Sequence, residues 1–189
     1  MKGPRDRTPL VADSTASPWS GRVWRCHHRS RAALNADGSL GGVGGRFNAG
    51  IESELKPPFR VLYTSIESAA ALLEVIRHLG YRSTDARAVV ALEDVAMRVL
   101  SQIDVGFQRV FDWSREATLL ANNASYGYTQ QLAAEAFRAG VEGFLVPSST
   151  GIDANLVIFV DNVVEDSHVD LVRQIVDMRP ILTTLVRGA

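Results

Sequence analysis

The chain has 189 residues, 46% hydrophobic and 22% charged, with 20 basic against 21 acidic side chains and a formal charge of −1. This is the profile of one globular domain large enough to build a core without disulfide or metal staples. It argues against a disordered chain, and against a general binder of nucleic acid or membrane surfaces, which would carry a basic excess.

A single cysteine, Cys26, excludes an internal disulfide and a Cys-rich zinc module. The first twenty residues lack the apolar core of a signal peptide, and no stretch approaches twenty apolar residues, so the expected location is the cytoplasm. Lys2 and Lys56 are the only lysines; every other basic residue is an arginine, the side chain whose planar fork suits phosphates and carboxylates.

Residues 1–20 are polar, with Pro4, Pro9 and Pro18 among small and charged residues, and read as a loose arm or an edge segment. Gly21 to His28 reads as a strand, with Val23, Arg25 and His27 on one face and Trp24, Cys26 and His28 on the other. Ser30 to Pro58 is aperiodic and rich in glycine. Arg60–Ser65 is a second strand. Ser65 is then the cap of a helix that stops at Gly80, with an apolar stripe of Ala69, Leu72, Leu73, Ile76 and Leu79. Arg87–Leu92 reads as a strand, and within the ambiguous stretch from Asp94 to Asn123 a helix is expected over Trp113–Ala121. Thr129–Ala139 is a helix ending at Gly140. Gly143–Pro147 and Asn155–Val160 are apolar strands around the turn SSTGID, and Val169, Val172, Ile175 and Val176 recur at helical spacing. Strands and helices alternate without a βαβ rhythm, which predicts an α+β fold.

Several motifs touch on chemistry. Cys26, His27 and His28 are adjacent on a strand and cannot converge on one ion, and His78 and His168 have no metal-site spacing, so no metal is expected. The run Gly41-Gly42-Val43-Gly44-Gly45-Arg46 lacks the Lys-Ser/Thr of a Walker loop, and Phe47 stands where a dinucleotide fingerprint needs glycine. It is either a mobile loop or a hairpin whose glycines bring Arg46 to a ligand. Ser148 and Ser149 form no nucleophile elbow; they are a plain turn or a cradle for an anionic or sugar group. Glu74 lies mid-helix, with Ala70 and Ala71 one turn before it and Arg77 and His78 one turn after. Either it is a solvated partner of those bases, or it has room for a ligand beside it. Tyr63 reads as core or as a ring platform. Arg25, mid-strand, needs an acidic partner or a bound anion.

Taken in order, WRCHH, GSLGGVGGRFN, VLYTSIESAAALLEVIRH and GVEGFLVPSSTGIDANLVIF resemble the RES domain, the toxin half of Xre/RES type II toxin–antitoxin modules, from about Val23 to Val160. Phe47 replaces the usual Trp of the GGRWN-like motif, and the segment between Asn48 and Tyr63 is longer than usual. The resemblance implies an ADP-ribosyltransferase-like mixed β core flanked by helices, with a 1–20 arm and an NAD-binding domain over 21–189. It also implies NAD+ as substrate, cleaved at the nicotinamide–ribose bond by hydrolysis or phosphorolysis so that NAD+ is depleted and growth stops. Glu74 and Arg46 match the catalytic positions, and Arg25, Asn48, Tyr63, Ser148 and Ser149 the substrate-binding ones. The implied partner is a cognate Xre-type antitoxin, and the acceptor is water, inorganic phosphate or a protein. The alternatives are an ADP-ribosyltransferase modifying one cellular protein, and a non-catalytic nucleotide-binding module.

Overall fold

The computed structural model describes residues 9–42, 44–55, 58–78, 95–120, 126–178 and 180. The expected Arg87–Leu92 strand, Leu79 and the Gly80 stop lie outside the described residues. In chain order the elements are α1 (Pro9–Asp13), β1 (Ser17–His28), the two-residue strands β2 (Gly44–Gly45) and β3 (Asn48–Ala49), and β4 (Val61–Ser65). These are followed by α2 (Ser68–His78), β5 (Arg98–Asp112), α3 (Tyr126–Arg138), β6 (Gly143–Pro147), β7 (Ala154–Phe159) and β8 (His168–Ile175). The α+β expectation is met.

One mixed sheet organises the molecule, in the order β1-β4-β7-β6-β5-β8 with β1 also paired along β5. The pairs are antiparallel except β5 with β6, and the β1–β5 ladder closes five strands into a ring. Val23, Leu62, Leu145, Leu156, Ile158, Ile103, Val105 and Phe107 form one buried cluster. All five ring strands contribute to it, so it is the filling of the ring. Residues at alternate positions point outward. On that outer side Val61, Phe144, Val146, Val157 and Phe159 take the apolar stripe of α3 and the hairpin residues Phe47 and Ala49. Elsewhere on the outside, α2 packs Ala71 and Leu72 against Leu100 and, at the edge of that cluster, Trp24 and Cys26.

Of the two readings of the arm, the loose one does not hold from residue 9: Val11 is buried in the α3 cluster, Trp113 Nε1 donates to Ser14 Oγ at 2.6 Å, and β1 begins at Ser17. Three further expectations are corrected. The stretch from Asp94 to Asn123 holds the fifteen-residue strand β5, and among the described residues of Trp113–Ala121 the helical part is a 3-10 turn at Ala117–Leu120. Val169, Val172 and Ile175 belong to strand β8, with Val176 just past its end, because the ladder to β5 from Leu100↔Ile175 to Gly106↔His168 fixes them as extended. Ser65 ends β4, and its hydroxyl donates to Asn155 Oδ1 at 2.7 Å rather than capping α2. By contrast α3, β6 and β7 fall close to where the sequence puts them, with Gly140 at φ +72° terminating α3 as a left-handed residue.

Candidate active site

Two constructions stand on the outer face of β4 and β7. The first is the hairpin of β2 and β3, which carries Arg46 at its tip. Gly44 has φ +89°, and a Cβ there would lie 2.2 Å from the Asn48 carbonyl and 2.4 Å from Gly50 N. Gly45 leaves no room either: a Cβ would meet Asn48 Oδ1 and the Tyr63 hydroxyl oxygen, both at 2.8 Å. The glycines are therefore what lets the hairpin close against Tyr63.

Tyr63 reads the hairpin through its hydroxyl, which donates to Asn48 Oδ1 at 2.8 Å and accepts the Phe47 N–H at 2.9 Å. Asn48 Oδ1 also accepts the Gly45 N–H at 3.0 Å, and its amide nitrogen donates to the Ser39 carbonyl. Gln130, on the buried face of α3, donates to the Gly45 carbonyl at 2.8 Å. Tyr63 as a whole stays 38% exposed while its hydroxyl is tied into this network. Burial pushes the phenol well above its ordinary range, and the nearby Arg46 charge offsets that only in part.

Arg46 is half-buried over Phe47, with Cζ 5.9 Å from the ring centre. Its Nε is buried and has no hydrogen-bond partner among the described residues. A buried guanidinium nitrogen without an acceptor is costly unless a ligand supplies one.

The second construction surrounds Glu74. Four donors converge on Oε1 at 3.0 Å each: Ser148 Oγ, Ser149 N–H, Ser149 Oγ and Asn155 Nδ2. Among the described residues none donates to Oε2. Ala70 and Ala71, one turn earlier, are buried. Thr150 stabilises the turn, with its N–H donating to Ser148 Oγ at 3.2 Å and its hydroxyl 2.7 Å from the same atom. The serines thus hold the carboxylate from a tight turn after β6.

The two constructions share a face. Tyr63 pairs with Val157 and Ser65 with Asn155, so Tyr63, Ser65 and Asn155 point to the same side, one side-chain repeat of about 6.6 Å apart along the strands. Arg46, Asn48, Tyr63, Glu74, Ser148 and Ser149 are brought together there.

Arg25 does not join that group directly. Trp24 pairs with Ser65, which places Arg25 on the opposite, inner face of β1. Of the acidic partner or bound anion expected for it, no acidic partner is found among the described residues; Nη1 donates instead to the backbone carbonyls of Ala33 at 2.6 Å and Asn35 at 2.9 Å, holding the segment after β1 in place. Burial, with Arg31 adding to it, lowers its pKa to about 10. Sequence reasoning missed Asn155, Ser65 and Gln130. The signals were a polar residue at the start of the apolar run NLVIFV, one at the end of VLYTS, and a glutamine on the apolar side of TQQLAAEAF.

A groove of about 280 Å³ lies elsewhere, between Trp19, Phe107, Gln108 and His168. Beside it His168 Nε2 lies 3.4 Å from Asp104, both exposed, and none of Arg25, Arg46, Asn48, Tyr63, Glu74, Ser148 and Ser149 lines it. Among the described residues no cluster of His, Cys, Asp and Glu is arranged to hold a metal ion, and no helix is long and apolar enough to cross a membrane.

The RES domain family model matches residues 22–177. The chain belongs to the RES domain family. Among solved structures, a chain from one described as the crystal structure of the M. tuberculosis MbcT–MbcA toxin–antitoxin complex superposes with a TM-score of 0.66 at 19% identity, covering 95% of each chain. At that identity the likeness speaks for a shared fold. No curated protein matches the sequence. Both constructions lie within the RES match, as does the whole sheet apart from the first residues of β1.

Proposed function

We propose that this RES domain is the toxin of a toxin–antitoxin pair and cleaves the nicotinamide–ribose bond of NAD+, passing the ADP-ribosyl group to water or inorganic phosphate and so arresting growth by NAD+ depletion. One arrangement carries the reading: a buried guanidinium nitrogen and a carboxylate oxygen, each without a hydrogen-bond partner among the described residues, flank a half-exposed tyrosine on a single face. A dinucleotide supplies the matching pieces, namely phosphates, ribose hydroxyls and a cationic ring.

In this reading Arg46 binds a phosphate through the charge-assisted bonds its Nε lacks, and the Tyr63 ring lies against the nicotinamide. Bond cleavage sends the electron pair to the nicotinamide nitrogen and leaves an oxocarbenium-like ribose. Glu74, oriented by Ser148, Ser149 and Asn155, sets a fixed negative charge where the positive charge develops. Its Oε2 is the oxygen available to the ribose, as carboxylates are for other sugars. Asn48 acts by fixing the hairpin. For Arg25 to add a second phosphate contact, the dinucleotide has to reach the inner face of β1, where Nη1 already donates to the Ala33 and Asn35 carbonyls. Membership of the family and the fold shared with a toxin–antitoxin complex support an antitoxin partner, here of the Xre type. Its role is to cover this face in a cytoplasm that cannot spare its NAD+.

The test is purified protein with NAD+, with and without phosphate, followed by product analysis. Nicotinamide release is expected, with ADP-ribose or its phosphorylated form as co-product. Glu74→Gln and Arg46→Ala are each expected to cut release by at least about 100-fold without loss of fold. A Glu74→Gln protein that depletes NAD+ at the normal rate refutes the assignment. Label from NAD+ retained on a protein band favours transfer to a protein acceptor instead.

A further inference from the structure

We infer that Ser65 and Asn155 form a positioning pair that aims Glu74 at the ribose, a role resting on the NAD+-cleaving function proposed above. The pair sits on two hydrogen-bonded strands, Ser65 at the end of β4 and Asn155 opposite it near the start of β7. Ser65 is 4% exposed, and its hydroxyl donates to Asn155 Oδ1 at 2.7 Å. With Oδ1 taken by a donor, the amide has one orientation, and its Nδ2 faces Glu74 Oε1 at 3.0 Å.

The other donors to Glu74 are less constrained. A carboxylate oxygen presents about two lone-pair directions, and four donors crowd Oε1. The Ser148 hydroxyl has a second partner in Thr150 at 2.7 Å and can rotate toward it. Ser148 and Ser149 also lie on a turn that runs through Gly151 at φ +76° and Asp153 at φ +48°. Asn155 alone reaches Glu74 from a strand with its amide pinned from behind. As a contribution to folding, a Ser–Asn bond is worth only about 1 kcal/mol, and an apolar pair of similar shape serves a buried ladder as well. What the polar pair adds is a fixed direction for Oε1, and through it for Oε2.

Such a role separates turnover from binding. Losing it weakens stabilisation of the developing ribose cation while leaving the contacts of Arg46 and Tyr63 with the ground state. Steady-state nicotinamide release from NAD+ is to be measured on the full chain and on Asn155→Ala, Ser65→Ala and Ser65→Thr, each checked by melting temperature. Asn155→Ala is expected to lower kcat about 30-fold with KM within about two-fold, and Ser65→Ala to lower kcat about five-fold. Ser65→Thr, which keeps the hydroxyl, is expected to restore kcat to near the starting value. An Asn155→Ala protein with unchanged kcat overturns the inference, as does a Ser65→Thr protein as impaired as Ser65→Ala. If Asn155→Ala does not fold, the two Ser65 variants decide the matter. Should the unsubstituted chain release no nicotinamide, the proposed function falls and takes the pair's role with it. Should it turn over normally while every variant does too, the positioning role alone falls.

Discussion

Two glutamates of this chain, Glu142 and Glu74, are each held by a ring of donors, and the way the donors are arranged separates a carboxylate used by the fold from one available for chemistry. Glu142 is fully buried beside β6. Its Oε2 accepts the N–H groups of Gln108 and Arg109 at 2.7 and 2.9 Å, and its Oε1 accepts the Val164 N–H at 3.3 Å. All three donors are backbone, and they occupy both oxygens. Glu74 is half-buried, takes three of its four donors from side chains, and receives all of them on one oxygen. The first arrangement satisfies three peptide groups that β5 and the β7–β8 connection leave unpaired. The second uses side chains to orient one oxygen and leaves the other without a donor among the described residues.

The sharpest way to break that contrast is to remove each carboxylate and read stability and turnover separately. Glu142→Ala removes the acceptor of three backbone N–H groups and empties a fully buried site, at a cost of about 3 kcal/mol. For a chain of this length that corresponds to a melting temperature lower by roughly 10 °C, with nicotinamide release per folded molecule unchanged. Glu74→Gln should do the reverse, shifting stability by less than about 1 kcal/mol while removing turnover. Calorimetry and a turnover assay on the same two preparations check this, and an exchange of phenotypes between them would dissolve the distinction.

The sequence carries the Glu74 side of this comparison more openly than the Glu142 side. Tyr63, Glu74 and Ser148 stand out because polar residues in otherwise apolar or small-residue runs are conspicuous, and their order along the chain matches a family. Glu142 sits in the short connection GVEGF, where nothing local marks it as buried; its partners come from residues 108, 109 and 164. The strands show the same division. β6 and β7 lie in the interior of the sheet and are continuous apolar runs, so they are legible. β5 is broken by Ser101, Gln102, Asp104 and Gln108 because it changes neighbours along its length, from β8 to β6 on one edge. β8 is an edge strand with most of its residues exposed, so burial imposes no alternation and its valines fall by chance at helical spacing.

A second, smaller effect tests the Arg46 side of the site. Gly45→Ala places a Cβ 2.8 Å from both Asn48 Oδ1 and the Tyr63 hydroxyl, so the hairpin has to retreat from the tyrosine. The expected cost is about 1–2 kcal/mol of stability, with a larger loss in affinity for NAD+ than in kcat, since Arg46 is displaced as a binding group while Glu74 keeps its four donors. Kinetic analysis separates the two quantities. A rise in KM with kcat retained fits a hairpin that binds, whereas loss of kcat at constant KM would assign it to the chemical step.

The smallest effect concerns a buried base held, like Glu142, for structure alone. His27 is 4% exposed; its Nδ1 lies 3.1 Å from the His28 carbonyl, and its Nε2 lies 2.8 Å from Ser101 Oγ. A neutral ring that donates from Nδ1 and accepts at Nε2 satisfies both contacts. Burial lowers its pKa below the ordinary 6.5, with the charges of Arg25 and Arg98 adding to the effect and the backbone contacts opposing it. The unfolded chain therefore binds a proton near pH 6.5 that the folded chain refuses. His27 contributes its stability in full above pH 6.5, and that stability is lost as the pH falls below it. Melting temperatures across this range should decline less steeply for His27→Gln than for the unsubstituted chain. Parallel declines would show that the ring is charged in the fold, and that Glu142 has no counterpart on the inner side of β1.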